Sequence, residues 1–420
     1  MQASTVWQSR LKALGPGLLW AGAAIGVSHL VQSTRAGASY GFALLWVVIL
    51  ANLFKYTAFE FGPRYAAAMG ESLLEGYMRV GKWAMVIFLL MTFGTMFTIQ
   101  AAVTIVTAAL ASKIFGLALS PLGWSMILLA TCAVILTIGR YPLLDKLIKV
   151  IIIVLTISTI FAVAAAISHG PTMRDGFLPP QVWSAAGIAF MVALMGWMPG
   201  AIDVAVWHSL WTIERAKETG SAPSLKDALF DFKVGYFGTA FLALGFVTLG
   251  ALIMYGSGEQ FASSGGAFAS QFIQLYTSTL GNWSYLVVAI AAFTTMFSTT
   301  LTVADAFPRV LSRSTEIVLP SLAARVNGNG LYWMTMGFIM TGSLIIIGLF
   351  MHGMTLLVDI ATTLSFLTTP VLAYINFRAV TGDWMPDGTK PGPKLLLVNW
   401  ISLIFLAGFA VFFLIWRFIL

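Results

Sequence analysis

Asp203 and His208 stand in the stretch Ile188–Trp211 (IAFMVALMGWMPGAIDVAVWHSLW), which is otherwise apolar and long enough to cross a bilayer. A carboxylate near the bilayer centre costs about 2.5–3.5 kcal/mol on insertion scales, so an acid kept there is functional by default. The same stretch is interrupted at its midpoint by Gly196, Pro199 and Gly200. Glycine and proline release backbone groups from the helical ladder. In hydrocarbon, released groups are tolerated only when buried in protein or lining a polar cavity. A second interrupted stretch, LGPGLLWAGAAIGVSHLVQSTRAGA, begins at Leu14 and carries Gly22, Gly26 and Ser28 at its middle, then His29, Gln32, Ser33 and Thr34. As a hard oxygen donor, Asp203 suits Mg²⁺, Ca²⁺ or Mn²⁺. It equally suits an organic ammonium group, a proton, or a structural bond to freed amides. The imidazole of His29 suits transition metals better than magnesium. If His29 and Asp203 face one cavity, they supply two side-chain ligands and bound water completes the shell. His208 lies about one and a half helical turns beyond Asp203 and is a candidate proton carrier near neutral pH.

Other polar residues in apolar runs have blander readings. Asp305 and Arg309 are spaced i,i+4 and predict a helix-end ion pair. Asp359 either faces the cavity or caps a helix. Thr95, Thr98 and Gln100 form a polar stripe that reads as glue between helices. Trp197, Trp207, Trp211 and the methionines of 191–198 read as packing. The lone Cys132 gives neither a disulfide framework nor a metal cluster. No GxxxxGK[ST] motif supports ATP-driven transport, and no HExxH motif or nucleophile–base set supports an enzyme. Nothing implies a cofactor.

The elements that must position these residues emerge from hydropathy. Of 420 residues, 59% are hydrophobic and 9% charged, with a mean hydropathy of +0.90, whereas soluble domains carry about 25% charge. The chain is therefore an all-α, multi-pass integral membrane protein. Apolar runs predict eleven spans, near 14–34, 41–62, 84–111, 119–138, 147–168, 184–210, 234–255, 284–306, 331–351, 355–378 and 396–418. The second carries Lys55 and Glu60. The segment 256–266 reads as a flexible connector. The net charge of +7 points to orientation rather than to nucleic acid. The N-terminal tail and the even-numbered connections hold 18 Lys and Arg, against Arg35, Lys113, Arg174 and Arg417 on the other side. This bias places the N-terminus in the cytoplasm and the C-terminus outside the cell membrane. No cleavable signal peptide is expected. The interrupted stretches are spans one and six, so they open two five-span halves of opposite orientation, 1–168 and 184–378, with an additional span at 396–418. Interrupted helices at matching positions of two halves mark a transporter's substrate site.

Several segments resemble the Nramp divalent-metal transporters. They are Gly15-Pro-Gly17, Arg35-Ala-Gly-Ala-Ser-Tyr-Gly-Phe-Ala-Leu-Leu-Trp46, Leu50-Ala-Asn-Leu53, Gly139-Arg-Tyr-Pro-Leu-Leu-Asp-Lys-Leu-Ile-Lys-Val150 and Asp227-Ala-Leu-Phe-Asp-Phe-Lys-Val-Gly-Tyr-Phe-Gly-Thr-Ala240. The resemblance implies a LeuT-type fold, a five-plus-five inverted repeat with broken helices 1 and 6, alternating access, and uptake of manganese or iron with protons. The departures fall at the site. Where that family has D-P-G-N, this chain has Gly26, Val27, Ser28 and His29. Where it has M-P-H-N, this chain has Ala201, Ile202, Asp203 and Val204. The third span lacks the family's acid, and His208 alone is retained among the proton-handling groups. The expectation is a transporter of a divalent cation, hydrated and of the Mg²⁺ or Mn²⁺ type, without clear proton coupling. Its contacts are Gly26, Ser28, His29, Ala201 and Asp203, with Asp203 and His29 as metal ligands and His208 on a proton path. The alternatives are a small organic solute, such as an amine or amino acid, on the same scaffold, or a non-transporting membrane sensor.

Overall fold

The computed structural model describes residues 15–138, 140–171, 174–326, 329–350 and 353–419. The N-terminal tail and Gly139 of the fifth-span motif lie outside the described residues. The first interrupted segment consists of α1 (Pro16–Ala24), a wide π-helical turn (Ser28–Ser33) and α2 (Thr34–Tyr40). Then come α3 (Leu45–Met69), the short α4 (Leu73–Val80), α5 (Lys82–Phe115), α6 (Pro121–Ile138) and α7 (Arg140–His169). The second interrupted segment is α8 (Ala185–Trp197) and α9 (Val204–Thr219), separated by residues 198–203. The chain continues through α10 (Leu225–Ile253), α11 (Gly265–Leu280), α12 (Tyr285–Val318), α13 (Pro320–Ala323), α14 (Gly330–Leu349), α15 (Met354–Thr381) and α16 (Pro393–Phe418).

Nine of the described helices are long and apolar enough to cross a membrane. The interrupted segments, expected as spans one and six, are not among these nine. Besides the single turn α13, two helices, α4 and α11, are additions to the expected pattern. Each mixes apolar with polar residues over only 8 and 16 positions, so neither forms a 20-residue apolar run. The connector expected to extend to residue 266 instead enters α11 at Gly265. Local chemistry sets several ends. Ser184 and Ser224 accept hydrogen bonds from the amides of Gly187 and Asp227 and so cap α8 and α10. Gly70, Gly116 and Gly220 end α3, α5 and α9 with positive φ.

The helix α10 runs along the whole first interrupted segment and fixes its path. Trp20 of α1 is fully buried between Phe59 of α3 and Tyr236 of α10, with ring centroids 5.2 Å away on each side. Asp231 of α10 accepts from the amides of Gly15 (3.0 Å) and Gly17 (2.6 Å), a buried carboxylate at the positive end of α1. Further along, α2 and α10 meet backbone to backbone. A Cβ on Gly250 would stand 2.2 Å from the Thr34 carbonyl oxygen, and one on Gly37 would stand 2.0 Å from that of Val247. Without a hydrophobic drive between helices in lipid, such close approach is what holds them.

The stripe on α5 is corrected in one respect. Thr95 and Thr98 donate to carbonyls of their own helix, and Gln100 donates to Thr104. These bonds run along the helix rather than joining two helices, and Gln100 Oε1 has no partner among the described residues. The bridge between α5 and α12 is instead Thr107–Thr300, 2.7 Å between hydroxyls.

Gly250→Leu should force α10 off α2 and lower stability in detergent by about 1–3 kcal/mol. The check is a thermal melt; an unchanged midpoint would contradict the close crossing.

Candidate functional site

The two breaks lie side by side. At the first, Ile25 leaves helical geometry (φ −77°, ψ 85°) after α1. Its released carbonyls are met by α12: the Thr299 hydroxyl lies 3.1 Å from the carbonyl oxygens of Gly22, of Ile25 and of Thr295 in its own helix. One hydroxyl hydrogen is thus shared among three acceptors. Gly26 packs against the same threonine. A Cβ at position 26 would sit 2.8 Å from both Thr299 Cγ2 and Oγ1, so a side chain there and Thr299 claim the same space. Ser33 donates back to the Ser28 carbonyl across the wide turn at 3.0 Å.

At the second break, Met198 is extended (φ −95°, ψ 116°) and the Met198–Pro199 peptide is cis. Lys55 of α3, fully buried, donates from Nζ to the carbonyl oxygens of Met195 (2.6 Å), Gly196 (2.8 Å) and Gly200 (3.2 Å). Asp203 immediately precedes α9, and its side chain makes no capping hydrogen bond. It is buried, and its Oδ1 has no hydrogen-bond partner among the described residues.

A cavity of about 30 Å³ lies between the breaks, lined by Ala23, Ala24, Val27 and Ser28 from the first, by Trp197, Gly200, Ala201, Val204 and Trp207 from the second, and by Ile99, Val103, Thr299 and Val303. It has room for about one water molecule. The structure brings Ser28 and Ala201 together here. It does not bring Asp203 and His29 into the same lining. The His29 ring turns to α10, with Nε2 3.0 Å from the Thr239 carbonyl oxygen and Nδ1 2.7 Å from Ser28 Oγ, so both nitrogens are used. Asp203 is itself not in the lining, although Ala201 and Val204 on either side of it are. His208 packs its ring against Phe232, centroids 5.9 Å apart, and its Nδ1 is unpartnered among the described residues. The indole N–H of Trp207 is also unpartnered there, while that of Trp197 donates to Ser365 at 2.8 Å.

Charged groups close one end of the cavity and line the other. Toward α2, Arg35 pairs with Asp359 of α15 at 2.8 Å and lies over the Phe190 ring of α8 at 4.7 Å, while Gln32 donates to the same carboxylate. Asp359 is therefore an ion-pair partner, neither a cap nor a cavity ligand. At the other end opens a vestibule of about 810 Å³ with Glu71, Glu75, Glu214 and Glu316 among its walls, crossed by the Arg313–Glu75 pair at 2.5 Å. The expected Asp305–Arg309 pair is present at 2.6 Å, with Tyr332 donating to the same carboxylate. On α12 and α9 the residues between cavity and vestibule are Phe307 and Trp207, which meet edge to face at 5.0 Å.

Lys55 and Thr299, which bond the carbonyls at the two breaks, are residues that sequence reasoning does not place at the site. Lys55 is visible as a charge inside the second span, but its partners are 140 and more positions away.

Residues 17–416 match the model of the family described as Nramp, natural resistance-associated macrophage protein-like. The chain belongs to the Nramp family. Members of this family are transporters, not enzymes. Over 415 residues it is 39% identical to an uncharacterized protein of Pasteurella multocida (strain Pm70), covering 97% of this chain and 93% of that protein. Among solved structures it is similar to a manganese transporter of Eremococcus coleocola in complex with an aromatic bis-isothiourea substituted compound. The TM-score is 0.70 at 13% identity, with 97% of this chain and 87% of that chain covered. It is also similar to MhsT in complex with L-phenylalanine, with TM-score 0.62 at 14% identity, covering 94% of this chain and 97% of that one. The fold is thus of the LeuT type, all-helical with two interrupted segments.

The Trp207–Phe307 contact yields a test of access. With buried Cys132 replaced, Val303→Cys should react slowly with a methanethiosulfonate reagent added from the vestibule side, and Phe307→Ala should speed labelling by about tenfold or more. Equal rates would show that this pair does not close the passage.

Proposed function

We propose that this chain carries a divalent metal cation across the cell membrane by alternating access, at the cavity between its two broken segments. The observation that supports the reading most directly is the partnerless buried carboxylate oxygen of Asp203 at the start of α9, beside a cavity sized for one dehydrated ion or water. A buried charge is retained where it has a partner or a task. Asp203 supplies the negative charge, the Ser28 hydroxyl and the carbonyls of the unwound turns add neutral oxygens, and Ala201 leaves room, while Gly26 makes space for Thr299 rather than for the cation. Hard oxygen donors of this kind suit Mn²⁺ or Mg²⁺. Asp203 is not in the lining as it stands, and in this reading its carboxylate turns to the cavity when the cation binds. His29, held by Ser28 and Thr239, orients Ser28 in this reading.

The orientation we propose has the N-terminus cytoplasmic and the C-terminus outside, so the acidic vestibule opens to the cytoplasm and the Arg35–Asp359 pair closes the outer side. The inverted repeat comprises 1–168 and 184–378. No carboxylate lies on α5, and the cation moves under the membrane potential, which is worth about 2.3 kcal/mol per charge per 100 mV. His208 is the remaining candidate for a proton path.

A second reading, a small organic solute, draws support from the largely apolar lining with two tryptophans and the free indole N–H of Trp207. It requires the cavity to widen several-fold. Purified protein should bind Mn²⁺, and Asp203→Asn should weaken binding about tenfold or more and abolish uptake into liposomes. Absence of binding by any divalent ion, with stabilisation by an amine or amino acid, would favour the second reading.

A further inference from the structure

Lys55 is fully buried, and no carboxylate among the described residues lies within ion-pair distance of it. Its three acceptors are all backbone carbonyls, of Met195, Gly196 and Gly200. A neutral amine has two N–H groups and a lone pair, which would face the third oxygen. An ammonium has three donors and matches the three carbonyls one for one. The carbonyls are of the kind a helix leaves over. Met195 and Gly196 belong to the last turn of α8, which ends at Trp197, and Gly200 lies in the gap. The negative end of the α8 dipole points at the same place. Around the gap the other charges are accounted for. Asp203 stands at its far side, at the positive end of α9, and Glu60 of α3 is paired with Arg64 at 2.5 Å.

We propose that the Lys55 ammonium is a tethered cation in a built carbonyl cradle, performing at the second break the task that a bound monovalent cation would perform. It is a positioning residue. It holds Gly200 and Ala201 where they line the cavity. The cradle itself is a binding site for a small monocation of the ammonium or K⁺ class, revealed when the tether is cut. This concerns the same cavity as the proposed transport site, but its first readout does not depend on what is transported.

Lys55→Ala, purified with and without NH₄⁺, methylammonium, K⁺ or Na⁺, tests it. The variant should melt well below the parent without added cation and recover a large part of the loss in a saturable way with NH₄⁺ or K⁺, while the parent shows no such dependence. Lys55→Met, whose side chain fills the space but donates nothing, should not be rescued. Lys55→Gln, which keeps two N–H donors without charge, covers the case in which the alanine variant does not fold: its melting point should lie between those of the parent and Lys55→Met. Liposome uptake of Mn²⁺ by Lys55→Ala should follow the same cation dependence, with turnover restored more than apparent affinity. A melting point of Lys55→Ala indifferent to every monocation, or equal rescue of Lys55→Met, overturns the proposal. No Mn²⁺ uptake by the parent under any condition overturns the metal reading instead and leaves the melting test to decide this one.

Discussion

Hydrocarbon cannot hydrogen-bond to a peptide group, and every unusual feature of this molecule answers to that constraint. Two segments leave the helical ladder at the depth where water is absent, and each finds a partner on a neighbouring continuous helix. The break after α1 is met by hydroxyls, those of Thr299 from α12 and of Ser28 and Ser33 within the segment. The break after α8 is met by an ammonium from α3, Lys55. The difference is one of kind: neutral hydroxyl donors at the first, charge-assisted bonds at the second.

Charge is distributed accordingly. Toward one end of the cavity a single pair, Arg35–Asp359, draws together α2 and α15 and presses Arg35 on α8. Toward the other end the ion pairs are many and lie around a wide vestibule. Between these ends the lining is nearly apolar, with Ser28 and Thr299 as its hydroxyls. One end of the cavity is thus bounded by a single ion pair, and at the other the Trp207–Phe307 contact stands between the cavity and the vestibule.

The spans and both breaks are legible in the sequence because each depends on local composition: an apolar run of about 20 residues, and glycine or proline at its middle. The Asp305–Arg309 pair is legible for the same reason, since its spacing is one helical turn. The features that are not legible depend on side-chain direction and on partners remote in sequence. His29 can be placed at a break from its neighbours, but only coordinates show its ring turned to the Thr239 carbonyl 210 positions away. Asp359 is ambiguous until Arg35, 324 positions away, is seen beside it. Lys55 looks like a flaw in a hydrophobic span because the carbonyls that need it belong to another helix. The short amphipathic α4 and α11 escape notice because they lie outside what a transmembrane hydropathy window detects.

The contact between Gly26 and Thr299 has a bearing on how such a site changes over time. The space a side chain at position 26 would need is filled by a methyl and a hydroxyl from α12. Neither residue can be exchanged alone without loss: a larger group at 26 collides, and a smaller one at 299 strands the carbonyls of Gly22 and Ile25. The two positions are thus epistatic. A larger side chain at 26 therefore has to arrive together with a rearrangement at 299, so the two positions constrain each other's variation.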